Sequence, residues 1–256
     1  TEIGKGRPGW HIECSAMSMK KLGKQFDIHT GAIDLIFPHH TNEIAQSEAV
    51  TGKKFVNYWI HGGFLNLKEG KMSKSLANIY TLEDLEREGY DPFHFRYLCL
   101  QTHYRKPLEF SFESLDAAKN AYEKIKRKII EIKKENHKAA DKTKEYGRAF
   151  LEAVNDDLNM PRALQVFIQA LDDFDFDNKK KIVLLEKFDE VFGLGIKEIK
   201  EEKIKISLEV RGLINKREEL RKNRKWAEAD VLRERIRELG YLIEDSDGET
   251  KLINLK

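Results

Sequence analysis

The 256-residue chain carries 46 lysines and arginines against 44 aspartates and glutamates, a net charge of +2, so bulk charge marks neither a polyanion binder nor an acidic tail. With 35% charged residues, a mean hydropathy of −0.61 and no apolar run near the roughly 20 residues a bilayer requires, the composition argues against a membrane role. Two cysteines, Cys14 and Cys99, make no disulfide framework, so a reducing compartment, the cytoplasm, is the expected location.

From Gly6 to about Phe112, short apolar runs (Phe26 to His29, Val56 to His61) alternate with helical ones, an α/β pattern. Helices are expected over Cys14 to Leu22, halted by Gly23, and over Asn42 to Thr51, halted by Gly52. In open parallel sheets ligands bind beyond the carboxyl ends of strands, which would let the loops His29 to Glu43 and Gly62 to Asn78 share one cleft. From Phe112 to about Lys200 the period changes to 3.6, with Leu115, Ala118, Ala121, Tyr122, Ile125, Ile129 and Ile132 on one stripe, and a helical bundle follows. Asn155 to Pro161 supplies a turn, with Pro161 suited to the first turn of the next helix. A charged hinge, Lys197 to Lys205, precedes a helix over Ala227 to Leu239 that stops at Gly240. A strand over Tyr241 to Glu244, a turn over Asp245 to Gly248 and a partner strand over Lys251 to Asn254 close a small αβ module. The expected domains are residues 1–111, 112–200 and 201–256.

Two clusters carry chemistry. Lys71-Met72-Ser73-Lys74-Ser75 places two ammonium groups on a loop of small residues beside Gly62, Gly63 and Gly70, suited to clamping triphosphate oxygens. By itself such a stretch is ordinary solvated surface. Cys14, His39 and Glu43 offer a thiolate, an imidazole and a carboxylate, the ligand types of a tetrahedral zinc site. A buried thiol and a capping imidazole are the bland alternative. The spacing favours the site, because His39 and Glu43 lie four apart at a helix start and Pro38 fixes the turn before them. Asp34 is either a turn residue or a ribose acceptor. The first residues carry no secretory signal and read as the middle of a domain, so the numbering is expected to begin inside a longer protein.

Three segments, Gly6-Arg7-Pro8-Gly9-Trp10-His11-Ile12-Glu13-Cys14-Ser15-Ala16-Met17, then Phe37-Pro38-His39-His40 through Asn42-Glu43, then Lys71 to Ser75, resemble the ordered signatures of the cysteinyl-tRNA synthetase family, class I enzymes. Asn155 to Leu164 is similar to the start of a helix in that family's bundle. Trp226 to Asp230 with Ile243 to Gly248 resembles its anticodon-binding module. The resemblance implies the second half of a Rossmann-type catalytic domain, a helical bundle and a small αβ anticodon module. It implies ATP-dependent activation of cysteine and transfer to tRNA(Cys), one Zn2+ per subunit, Mg2+ with the ATP, a monomer, and no membrane partner. At matching positions it makes Cys14, His39 and Glu43 three of four zinc ligands, Lys74 and Lys71 the catalytic lysines, and Asp34 the ribose-binding residue. It places Trp10 by the amino-acid pocket, and Arg221, Asp230 and Asp245 at anticodon bases.

Departures accompany the matches. The family's glycine run reads Thr30-Gly31-Ala32 here, and its glutamate after the two histidines is Thr41. The HIGH-type motif and the early fourth zinc cysteine are absent, so the chain is expected to be a C-terminal half that does not activate cysteine alone. A zinc site with an open position would select cysteine because serine forfeits a metal bond, a larger difference than the roughly 1–3 kcal/mol a methylene provides. Two other readings compete. One is a ligase of the mycothiol pathway, joining cysteine to an amino sugar, against which the basic tail with Lys216-Arg217, Arg221-Lys222 and Arg224-Lys225 argues as a surface for tRNA phosphates. The other is a zinc-stabilised RNA-binding module without catalysis.

Overall fold

The computed structural model describes residues 4–6, 9–67, 80–201, 207–246 and 249–254. The chain divides into two compact units, Thr1–Ile199 and Lys200–Lys256. The division falls within the expected charged hinge.

The first unit opens with α1 (Trp10–Leu22), which begins four residues earlier than expected because Gly9 is already extended (φ −72°, ψ 150°) and starts the helix without a side-chain cap. Strand β1 (Phe26–Ala32) continues through Thr30-Gly31-Ala32. A 3-10 turn over Ile33–Leu35 and a kinked segment over Ile36–His40, extended at Phe37, lead into α2 (Thr41–Thr51). Strand β2 (Val56–Gly62) then pairs with β1 in parallel, with His29 opposite Trp59 and Gly31 opposite His61. Because the two strands run the same way, the segments leaving Ala32 and Gly62 start at one edge of the sheet, the carboxyl edge where parallel sheets bind ligands. The lysine cluster at 71–75 lies outside the described residues.

Strand β3 (Leu65–Leu67) pairs in parallel with β4 (Leu108–Phe110). Between them come α3 (Leu82–Arg87), capped by Thr81, and α4 (Pro92–Leu100), capped by Asp91 with proline in its first turn. Such caps satisfy amides that a helix start otherwise leaves free. Helix α5 (Phe112–Lys134) buries Leu115, Ala118, Tyr122, Ile125 and Ile129 along the expected stripe. It is followed by α6 (Thr143–Asn155), α7 (Met160–Asp172, with Asn159 capping and proline in its first turn) and α8 (Asn178–Phe192). Phe110 and Leu115, either side of the expected 111/112 boundary, belong to one core that runs from Leu67 to Ile199.

The second unit contains α9 (Leu208–Lys222), α10 (Trp226–Glu238), β5 (Tyr241–Ser246) and β6 (Glu249–Asn254). The strands pair antiparallel with Ser246 opposite Glu249. The hairpin is therefore longer, and its connection shorter, than the expected turn over Asp245 to Gly248. Val210, Ile236 and Ile243 form its core.

Candidate metal centre and its histidine cluster

Helix α1 lies against α2, and the contact is polar. Buried Ser15 donates its hydroxyl to Gln46 Oε1 at 2.9 Å while also reaching His11 O at 3.1 Å. That packing brings Cys14 to the start of α2. The backbone kinks at the extended Phe37 (φ −135°, ψ 132°) just before α2, and the residues that follow it, His39 and His40, are turned inward, 4% and 3% exposed. Glu43 follows His39 by one helical turn on the same face, and its Oε1 lies 2.9 Å from His39 Nε2.

Glu43 is fully buried, and neither carboxylate oxygen receives a hydrogen bond. His39 Nε2, and His29 Nε2 at 3.6 Å from Oε2, stand nearby, but neither contact has hydrogen-bond geometry. A buried charge without partners is costly. Burial accordingly pushes the Glu43 carboxyl up to about 7, and burial together with the Glu43 charge raises the Cys14 thiol. A divalent cation would reverse both shifts. One ligand atom each from Cys14, His39 and Glu43 lies within 4.8 Å of the others, whereas the ligands of a tetrahedral zinc ion stand roughly 3.5 Å apart. A small closure suffices, and the residues fit the metal.

A second triad, His29, His40 and Glu43, satisfies the same criterion among the described residues. It contains no thiolate, so the first triad is the better zinc site for a borderline-soft ion. The second triad is embedded in a histidine cluster. His11 and His39 meet through their Nδ1 atoms at 2.8 Å, and His40 Nδ1 lies 2.8 Å from His61 Nε2. The His40 ring packs edge-on to His29 at 4.8 Å and against Trp59 at 4.7 Å. Burial, with His29 adding to it, drives His40 down to about 4, and burial likewise lowers His29, His39 and His61. In His29, His39, His40 and His61 burial thus favours the uncharged imidazole. Gly31 admits the cluster: a Cβ there would stand 2.6 Å from His40 Cε1.

Of the other expected site residues, Trp10 joins the centre, its exposed ring 4.3 Å from that of His39. Asp34 is exposed on the 3-10 turn at the carboxyl edge of the sheet. In the second unit, the Arg221 guanidinium lies over Trp226 at 5.7 Å, Asp230 is exposed on α10, and Asp245 falls in β5. Lys71 and Lys74 lie outside the described residues. No sequence expectation attaches to His11, His29 or His61, yet strand parity carries a signal for two of them. His29 and Gly31 share one face of β1, and Trp59 and His61 share that face of β2.

Residues 1–120 match the model of the tRNA synthetases class I (C) catalytic domain, and residues 205–251 match that of the cysteinyl-tRNA ligase anticodon binding domain. The chain belongs to the cysteinyl-tRNA synthetase family. Family members named cysteine–tRNA ligase include one from Oenococcus oeni, 40% identical over 95% of this chain and 55% of its own length. Another, from Protochlamydia amoebophila, is 41% identical over 98% of this chain and 55% of its own. The cysteine–tRNA ligase 1 of Burkholderia lata is 42% identical over 98% and 53%. This cysteinyl-tRNA synthetase family chain thus spans about half the length of the curated relatives it matches. Among solved structures, methionyl-tRNA synthetase of Mycobacterium tuberculosis bound by methionyl-adenylate is similar over 64% of this chain and 34% of its own, with a TM-score of 0.44 and 20% identity. Among the described residues no helix is long and apolar enough to cross a membrane.

Proposed function

We propose that this chain carries the metal-binding, pyrophosphate-handling and anticodon-reading parts of a cysteine–tRNA ligase that acts as a cytoplasmic monomer. Its reaction is the activation of cysteine by ATP and transfer to tRNA(Cys). One observation carries the reading: a fully buried, hydrogen-bond-free Glu43 converges with His39 and Cys14 in a chain matched by both family models.

Cys14, His39 and Glu43 would hold zinc. When bound, that ion supplies a position at which the substrate thiol is kept as a thiolate, a bond that serine's hydroxyl cannot match. His11, through its contact with His39 Nδ1, fixes the ring so that Nε2 faces the centre, the usual role of a partner behind a ligating histidine. Trp10, against His39, covers the outer side of the amino-acid pocket. The neutral histidines behind it leave the pocket without a competing cation for the substrate carboxylate.

In the first step the cysteine carboxylate attacks the α-phosphate of magnesium-bound ATP, the α–β phosphoanhydride breaks, and pyrophosphate departs. Asp34 accepts hydrogen bonds from the nucleotide ribose, while Lys71 and Lys74 stabilise charge on the leaving group. In the second step a hydroxyl of the tRNA's terminal ribose attacks the adenylate carbonyl and AMP leaves. Arg221, Asp230 and Asp245 read anticodon bases. The match to an anticodon-binding domain over residues 205–251 weighs against transfer to an amino sugar. The division of labour follows residues 1–111 for chemistry, 112–200 for the bundle and 201–256 for the anticodon.

The test is cysteine-dependent pyrophosphate exchange by the full-length protein. Lys74→Ala should slow exchange by roughly a hundred-fold or more, as removing one transition-state donor does, with little change in cysteine affinity. Unchanged exchange would remove Lys74 from the mechanism.

A further inference from the structure

The turn joining α6 to α7 holds Asp157 and Leu158 at φ 52° and 55°. Two successive non-glycine residues in the left-handed region are uncommon, and leucine has no side-chain hydrogen bond with which to offset the conformation. Such backbone persists where the surroundings over-determine it. Here the surroundings are three successive residues of the loop between α4 and β4. The Asp157 carboxylate accepts hydrogen bonds from Tyr104 Oη at 2.7 Å, Arg105 Nε at 2.5 Å and Arg105 Nη2 at 3.0 Å, and His103 Nε2 stands 3.9 Å away. The His103 ring stacks on Tyr104 at 5.0 Å and the Arg105 guanidinium lies over the same ring at 5.2 Å. A single exposed ion pair contributes little. A two-pronged arginine contact with an added phenol donor also fixes orientation.

The other side of that loop is sealed to the sheet. Gly63 N–H donates to Tyr104 O at 2.6 Å, and Leu108 N–H donates to Phe64 O at 2.8 Å. The fit at Gly63 is tight enough that a Cβ there would stand 2.4 Å from Lys106 O. Gly63 follows His61 by two residues, and His61 holds His40 Nδ1. A continuous path of short contacts therefore runs from the α6–α7 turn, through Tyr104 and Arg105, to the end of β2.

We infer that Asp157 is a positioning residue: its carboxylate latches the bundle turn onto the α4–β4 loop and so fixes the carboxyl end of β2, holding His61 against His40 at the edge of the metal centre. The consequence for turnover rests on the ligase reading; the consequence for His61 does not.

The test uses the full-length protein with Asp157→Asn, Tyr104→Phe and the double variant. Asparagine keeps the shape and tolerates left-handed backbone. Tyr104→Phe changes no formal charge, so an effect it shares with Asp157→Asn is not merely the loss of the carboxylate's own charge. The His61 Cε1–H resonance, identified by its loss in His61→Gln, should move in both single variants, and the double should move it no further than the larger single, as expected for one unit. The resonance of remote His137 should stay. Cysteine-dependent pyrophosphate exchange should fall roughly ten-fold in kcat with zinc content retained, the scale of a small misplacement relayed to a site. A His61 resonance unmoved in both single variants overturns the latch, even if the thermal midpoint drops, because a merely structural ion pair would do only that. Absence of cysteine-dependent exchange in the unmodified protein would sink the ligase reading and leave the His61 resonance to judge the latch.

Discussion

The segment from α1 to β2 and the bundle from α5 to α8 are built on opposite principles. In the bundle the buried groups are mostly apolar, Leu115, Phe167, Phe176, Leu185 and Phe192 among them, with Asn178 and Lys181 as polar exceptions, and Phe150 stacks on Phe188 at 3.9 Å. In the α1–β2 segment the buried groups are mostly polar, Ser15, His39, His40, Glu43 and Ser47, while Trp10, Ile28, Phe37 and Tyr58 are exposed. Among the described residues, none before Leu67 belongs to the main core. The bundle derives its stability from burial and dispersion, which need no ligand. The site segment is organised around polar groups whose burial is unfavourable without partners.

The largest effect should come from breaking the bundle. Phe167→Ala should cost about 3–5 kcal/mol, the range for emptying a buried aromatic site, read as a lowered denaturation midpoint, with zinc affinity of the folded fraction unchanged. A change at Glu43 should do the reverse. Glu43→Gln should weaken zinc binding by more than the roughly 100-fold typical of losing an outer-shell partner, while making the metal-free protein about 1–3 kcal/mol more stable at pH 8, the usual cost of an unsatisfied buried polar group. The sign follows from the carboxyl's position at about 7 against an ordinary 4.5. Its contribution to stability is fully present below 4.5 and lost as pH rises through 7, so the glutamine advantage should appear at pH 8 and vanish near pH 4.5. An equal advantage at both values would mean that Glu43 is not a buried charge in the metal-free protein.

The smallest effect probes how tightly the imidazoles are held. Gly31→Ala places a methyl 2.6 Å from His40 Cε1 and should cost about 1 kcal/mol, the lower end for overpacking. It should also displace the His40 ring signals in NMR spectra. Unmoved signals would show that the cluster has slack.

The legible parts of the fold are those set by near neighbours along the chain. The α5 stripe from Leu115 to Ile129, the Pro161 helix start and the stop at Gly240 each follow from helical period or backbone preference within a few residues. Helix α1 was less legible, since Gly9 begins it without a side-chain cap. The hairpin departs from its local signals for a related reason: Asp245 and Ser246 favour turns as residue types, yet pairing with Thr250 and Glu249 keeps them in the strand. Tertiary pairing outweighed local preference.

The sequence by itself determined the candidate donor types and the pairing of His39 with Glu43, because a separation of four residues at a helix start fixes a shared face whatever surrounds it. It also determined the family, through the order of its motifs. Only the tertiary structure decided that Cys14 converges on that pair, that His61 meets His40 across 21 positions and His11 meets His39 across 28, and that Glu43 is left without a hydrogen bond. Those facts depend on the register of β1 against β2 and on the packing of α1 against α2. Both are long-range choices that no window of sequence contains.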